Sequence, residues 1–222
     1  MSQTTTTPQD STSQGGTFPG NTSKGTAFVL HAHPCKDSFN AALYERTLES
    51  LKTGGWDVDA CDLYAEEFDP VLSRVDREEY HDLEINRRRV EPYVERLQNA
   101  RALIFVYPVW NYGFPAILKG FIDRVFLPGV SFHLEETAPD KVKLTRALSN
   151  IDRLATVTTY GGDRLRTFLA GDPPRKYMMR TMRATVGLTA RARYLALHDL
   201  NNVDQTGREA FLNKVGREIQ SL

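Results

Sequence analysis

Ala102-Leu103-Ile104-Phe105-Val106-Tyr107-Pro108-Val109-Trp110-Asn111-Tyr112-Gly113-Phe114-Pro115-Ala116-Ile117-Leu118-Lys119-Gly120-Phe121-Ile122-Asp123-Arg124-Val125 joins two periodicities in one segment. The apolar run Ala102 to Val106 has strand length and no polar alternation, as expected of a strand buried on both faces. Ring residues and a Gly follow Pro108. A helix-period pattern then starts behind Pro115, because proline suits a helix start. The segment therefore reads as strand, tight aromatic loop and helix, with the loop at the strand's carboxyl end, where open parallel sheets bind ligands.

The same grammar recurs on both sides. Thr26 to Leu30 is another continuous apolar run and leads into His31-Ala32-His33-Pro34-Cys35-Lys36-Asp37-Ser38-Phe39-Asn40. Leu43, Thr47, Leu48 and Leu51 then mark one helix face, Asp37 or Ser38 is a suitable N-cap, and Gly54-Gly55 stops the helix. Val58, Ala60 and Cys61 make a second strand, so strand, helix and strand form a right-handed crossover unit. Leu63 to about Asp76 reads as an ordered loop. Arg77 to Ala100 has helical spacing, with Val90, Val94 and Leu97 on one side. Arg87-Arg88-Arg89 lies among Glu78, Glu79, Glu84, Glu91 and Glu95, which marks a solvated, ion-paired face. Val130 to Leu134 alternates, as a peripheral β element would. Ile151 to Thr159 is a further strand, Pro173-Pro174 opens a helix through Met182, Arg191 to Leu197 is the fifth strand, and Gln205 to Leu222 closes the chain. Five strands alternating with helices predict an α/β, doubly wound parallel sheet of flavodoxin-like order 2-1-3-4-5.

Composition narrows the classes of function. In 222 residues, Lys plus Arg equals Asp plus Glu at 28 each, which argues against nucleic acid or an anionic membrane as the main partner. It also lacks the acidic surface of a charge-docked electron carrier. Cys35 and Cys61 have no metal-type or disulfide spacing, so a reducing compartment is expected and no metal site is assigned. No run of about 18 apolar residues is present to span a membrane. Residues 1–24 are rich in Thr, Ser, Gln and Gly and carry neither the apolar stretch of a signal peptide nor the Arg content of a transit peptide. They are expected to be a disordered tail before one domain over residues 25–222, in the cytoplasm.

In the expected strand order the loops His31–Asn40, Tyr107–Gly113 and Thr158–Gly162 meet at one crevice. Ser38, Phe39 and Asn40 fall where a helix begins and suit an anion, with His33 adding a donor. The chain has no G-x-x-x-x-G-K-S/T, so this is no nucleoside triphosphatase loop, and no G-x-G-x-x-G follows the first strand. Trp110 and Tyr112 offer flat ring area, while Val109, Asn111 and Gly113 offer backbone N–H groups to a polar ring edge, with Pro108 counted in the same site. Exposed rings at a strand end call for something to cover them. Thr158, Thr159, Gly161 and Gly162 offer hydroxyl and N–H donors to a carbonyl edge on which negative charge gathers during reduction. An anion site, a flat wall and a donor edge in this order predict a flavin.

His33 with Ser38-Phe39-Asn40, the run Pro108 to Gly120, Thr158-Thr159 and Gly161-Gly162 together resemble the NAD(P)H:quinone oxidoreductases of the flavodoxin-like fold. Asp62-Leu63-Tyr64, Phe68-Asp69-Pro70 and Asp123-Arg124-Val125-Phe126 extend the similarity, which covers about Ala27 to Leu222. The resemblance implies a non-covalent FMN or FAD and a homodimer whose active site is completed across the interface. It also implies two-electron hydride transfer from NAD(P)H to a quinone-like acceptor by a ping-pong route. The same family includes ancillary flavoproteins of glutathione-gated potassium efflux channels, so a membrane transporter is an alternative partner. Mammalian-type members follow the Thr-Thr-Gly-Gly motif with a Tyr and a His. Here Tyr160 interrupts it and Asp163-Arg164-Leu165-Arg166 follows, so no catalytic residue is assigned. Nothing supports the adenine half of FAD, which leaves FMN the first expectation.

Overall fold

The fold was analysed in a computed structural model, which describes residues 23–138 and 141–222. Of the tail expected over residues 1–24, residues 1–22 lie outside the described residues.

Alternation within each strand builds two cores from one sheet. Phe28, Leu30, Leu103, Phe105 and Leu154 belong to one buried cluster; Ala27, Val29, Ile104, Val106, Ala155 and Val157 belong to the other. Successive side chains point to opposite faces, so an unbroken apolar run buries both. The strands are β1 (Thr26–His31), β2 (Asp57–Asp62) and β3 (Ala100–Val109), the antiparallel pair β4 (Phe132–Ala138) and β5 (Lys141–Arg146), then β6 (Arg153–Tyr160) and β7 (Arg191–Leu197). The main sheet is parallel throughout, in the order β2-β1-β3-β6-β7. Counting its strands alone gives the expected 2-1-3-4-5.

Helix α1 (Phe39–Thr53) is capped by Ser38, whose Oγ accepts the Ala41 N–H at 3.1 Å, and ends at Gly54-Gly55, where Gly55 has φ 85°. The region expected to be one helix from Arg77 is instead α2 (Arg74–Glu78), a series of turns, and α3 (Glu91–Asn99). Two local signals divide it. Ser73 and Asp76 form a reciprocal capping box at the start of α2. Pro92 has no N–H for a preceding turn and so opens a new helix. Asn86 anchors the intervening turns by donating to the Tyr80 and Pro128 carbonyls. Two members of the basic triplet are ion-paired, Arg87 with Glu91 and Arg89 with Asp76 and Glu79, in keeping with the expected solvated face.

Helix α4 (Ala116–Val125) crosses the first core face through Leu118, Phe121 and Val125. Beyond β6 come α5 (Arg164–Leu169) and α6 (Pro173–Lys176), which runs through a π-helical turn (Tyr177–Met182) into α7 (Arg183–Val186). Helix α8 (Gln205–Gln220) packs with α1 on the second face through Phe211, Val215 and Ile219.

Two features lock the carboxyl ends of the strands. His31, the last residue of β1, is buried; its Nδ1 lies 3.1 Å from Asp62 Oδ2 and its ring stacks on Tyr44 at 4.4 Å. Burial holds the His31 imidazole below its usual range, against the raising effect of Asp62. Gly120 in α4 touches the preceding loop, since a Cβ there would lie 2.2 Å from the Pro70 carbonyl oxygen. Gly120→Ala is therefore expected to cost about 1–3 kcal/mol in urea unfolding, as overpacking does. His31 is neutral in the folded chain at a pH where the unfolded chain has begun to protonate it. Its contribution to stability should be complete above about pH 6.5 and decline as pH falls toward the depressed folded value. Urea midpoints measured from pH 8 to pH 5 should fall less for His31→Gln than for the native chain.

Candidate active site

Strands β1, β3 and β6 do not end at the same level. The β1–β3 pairing stops at His31↔Val106, whereas β3 and β6 stay paired through Tyr107↔Thr158, Pro108↔Thr159 and Val109↔Tyr160. The chain leaves β1 for α1 on one face and β3 for α4 on the other, which opens a crevice at the point of divergence. Pro108 thus belongs to the strand, beyond the expected boundary. It stands where β3 has lost its β1 neighbour, so its missing N–H leaves no ladder bond unmade on that side.

On the first loop, Ser38 Oγ accepts from Ala41, which leaves the hydroxyl proton available, and the first N–H groups of α1, on Phe39 and Asn40, have no partner within the helix. Asn40 is only 3% exposed, yet neither its Nδ2 nor its Oδ1 has a hydrogen-bond partner. His31 Nε2 forms no hydrogen bond within normal geometry either, although the Asn40 side chain is close enough to favour the charged imidazole. His33 is half-buried; its Nδ1 accepts the Cys35 N–H at 3.0 Å, and its ring lies 5.8 Å from that of Trp110. Buried amides without partners are rare, and this one stands at the N-terminus of a long helix. A ligand carrying both an anion and hydroxyls would satisfy it.

The second loop is a tight turn. Trp110 and Gly113 exchange both backbone bonds, at 3.2 and 2.8 Å, while Asn111 (φ 50°) and Tyr112 (φ 55°) take left-handed backbone. Asn tolerates that region, whereas a ring residue rarely enters it. The turn leaves Trp110 40% and Tyr112 36% exposed. The Gly113 N–H, expected to face the ligand, is used within the turn; the Asn111 and Tyr112 N–H groups take no part in that pairing.

The third loop is shorter than expected, because Thr158, Thr159 and Tyr160 are buried residues of β6. The Thr158 hydroxyl donates to the Tyr107 carbonyl at 2.7 Å instead of facing the crevice. Gly161 and Gly162 form the bend itself. A Cβ at Gly162 would lie 3.1 Å from Tyr112 Oη, so the second and third loops are in contact. Asp163 caps α5 by accepting the Arg166 N–H. The Leu200 and Asp199 N–H groups donate to the Tyr160 and Gly162 carbonyls, tying the segment after β7 to the same rim.

Two residues near these loops carry no signal in the sequence. The guanidinium of Arg208, in the first turn of α8, lies 6.0 Å from the Phe39 ring centroid, and its Nε is buried without a partner. Asn201 Nδ2 would come 3.8 Å from a Cβ at Gly161. Only the pairing of the last strand brings either residue there. Behind the third loop, Tyr160 Oη donates to Asp172 Oδ1 at 2.7 Å, meets Tyr194 Oη at 2.5 Å, and its ring stacks on His198. Burial pushes both phenols up, Tyr194 to about 12, so both remain protonated at ordinary pH.

The residues present fit a flavin in three respects: an unsatisfied buried amide at a helix start, exposed rings on a strained turn, and a small-residue bend touching those rings. No cluster of His, Cys, Asp or Glu suited to a metal occurs among the described residues. No helix among them is long and apolar enough to cross a membrane.

Comparison with known proteins agrees with the fold. A family model described as flavodoxin-like fold matches residues 26–219. NAD(P)H dehydrogenase (quinone) 1 of Cavia porcellus is 36% identical over 122 residues, which cover 48% of this chain and 44% of that protein. The chain spans about half the length of the curated relatives it matches. Among solved structures, an NAD(P)H:quinone oxidoreductase from Methanothermobacter marburgensis superposes with a TM-score of 0.73 at 24% identity, covering 88% of this chain and 98% of that chain. An FMN-dependent NADH-azoreductase from Bacillus anthracis, in complex with FMN, gives 0.66 at 18% identity over 88% of this chain and 96% of that chain. At such identities the two structures speak to the fold. The chain belongs to the flavodoxin-like fold family, and the NAD(P)H quinone oxidoreductases are its homologues.

Proposed function

We propose that this protein is a flavin-dependent NAD(P)H oxidoreductase that delivers two electrons to quinones or similar acceptors, with FMN as its cofactor. The observation that carries the reading is the unpartnered, buried Asn40 amide at the start of α1, taken with the exposed rings of Trp110 and Tyr112 at the end of the neighbouring strand. When bound, the flavin supplies the hydride chemistry, taken from NAD(P)H and passed to the acceptor in alternating steps.

The chain's own contribution is binding, orientation and field. Ser38, the Phe39 and Asn40 N–H groups, the Asn40 amide and His33 hold the phosphate and ribityl end at the positive end of a helix. Arg208 adds a cation beside Phe39. Trp110 and Tyr112 provide the ring wall, and the positive φ values at Asn111 and Tyr112 hold it in place. The bend at Gly161-Gly162 admits backbone to the ring edge, since a Cβ at Gly162 would crowd Tyr112 Oη at 3.1 Å. Pro108, Val109, Gly113, Thr158 and Thr159 form the floor that fixes these groups rather than reaching out as separate donors.

Leu165 and Leu169, one turn apart on α5, are both exposed, apolar surface of the kind a second copy covers, which supports a homodimer. Cys35 and Cys61 are both free thiols, as a reducing cytoplasm would leave them.

Purification followed by a visible spectrum and mass analysis of the released cofactor tests the reading; absence of flavin even after reconstitution would end it. Asn40→Asp places a carboxylate beside the phosphate and should weaken flavin binding about tenfold or more, measured by fluorescence titration of the stripped protein. Unchanged affinity would remove Asn40 from the site.

A further inference from the structure

A second cleft, of about 720 Å³, opens beside the third loop between α5, the helix that starts at Pro173, and the end of β7. Arg164, Arg175, Lys176, Arg180 and Lys214 all line it. Asp172 is the one carboxylate in its wall, and it accepts the Tyr160 hydroxyl. Among the described residues none of the five cations forms a salt bridge, as is also true of Arg46, Arg77 and Arg88 elsewhere; what sets the cleft apart is that five such cations share one wall with a single carboxylate. The wall is therefore strongly positive in a chain whose net charge is zero. A concave wall of one sign focuses its field on whatever enters.

The rest of the lining is not that of a bare ion site. Phe168 contributes an exposed ring, and Met179 and Tyr194 contribute apolar and aromatic surface. His198 adds an imidazole whose Nδ1 is buried without a partner. A volume of this order suits a small organic ligand, and a π-face beside guanidinium groups suits a base with attached phosphate. The cleft is also contiguous with the flavin crevice. A Cβ at Gly162 would lie 3.1 Å from Tyr112 Oη and 3.8 Å from Thr167 Oγ1, and Thr167 lines the cleft.

We propose that this cleft binds the adenosine-phosphate end of the reduced nicotinamide dinucleotide and that its five unpaired cations select NADPH over NADH. The proposal rests on the oxidoreductase reading above. NADPH differs from NADH by one phosphate group, and guanidinium and ammonium groups together match that charge. Phe168 provides the surface on which the adenine lies, and the nicotinamide end extends past Thr167 toward Tyr112.

Two experiments on the full-length protein test the proposal. Calorimetric titration should give tighter binding for adenosine 2′,5′-bisphosphate than for adenosine 5′-monophosphate, with an affinity that falls as salt rises. Steady-state kinetics of the flavin-loaded double variant Lys176→Gln, Arg180→Gln should show the KM for NADPH raised about tenfold, with the KM for NADH little changed. Both side chains are exposed, so the variant should fold, and its flavin content is measured alongside. Equal binding of the two adenosine phosphates, or an equal rise in both KM values, would overturn the proposal. So would a rise confined to the KM of a sulfonated quinone, which would give the cleft to the acceptor. If the chain holds no flavin, the oxidoreductase reading fails on its own, and the adenosine-phosphate titration still decides what the cleft binds.

Discussion

The whole site depends on β1 ending three register positions before β3 and β6 do. Up to His31↔Val106 the three strands form a continuous ladder; beyond it, β3 is paired on one side only. The missing neighbour creates the crevice, frees the start of α1, and makes Pro108 acceptable in a central strand. His31 fixes the level of that ending. Its hydrogen bond to Asp62 and its stacking on Tyr44 tie the last residue of β1 to β2 and to α1.

Once the crevice exists, its surroundings are rigid in some places and unsatisfied in others. The sheet beneath it is buried, down to the Thr158 hydroxyl, which is engaged by Tyr107. On the rim, by contrast, Asn40 lacks partners and Tyr112 is held in a conformation that ring residues seldom adopt. Local strain and unmet hydrogen bonds at these positions support the proposed ligand site. Tyr112 packs beside Gly162, which places the ring wall next to the bend after β6.

Charge is distributed on a different plan from the apolar rings. Several guanidinium groups are paired on the surface, and Arg96 engages both Asp59 and Glu66. Five cations that form no salt bridge among the described residues share one wall beside β7 and α5. Their field reaches inward: His198 is held below its usual range by burial first, and by Arg164 and Arg175 as well. A neutral chain thereby presents a strongly positive recess next to an uncharged aromatic one, and the two suit different parts of one large ligand.

Strand count, parallel order and the three strand ends at the crevice were legible in the sequence, because apolar runs and helix periodicity are local properties that survive without tertiary context. So were the Ser38 cap and the ion pairing of Arg87 and Arg89. Helix limits were less legible where polar side chains compete with backbone: Ser73, Asp76 and Pro92 divided a region whose periodicity suggested one helix. Which donors face the crevice was not legible at all. Thr158 and Gly113 have suitable chemistry, but strand register and turn geometry direct their hydrogen bonds to Tyr107 and Trp110. Arg208, Asn201 and the five cations of the second cleft are scattered from Arg164 to Lys214, without motif or spacing. The sequence alone determined which segments are strands and helices, since burying an apolar face requires a pattern along the chain. Only the tertiary structure decided which polar groups stand unsatisfied together, since that depends on the pairing of strands far apart in the chain.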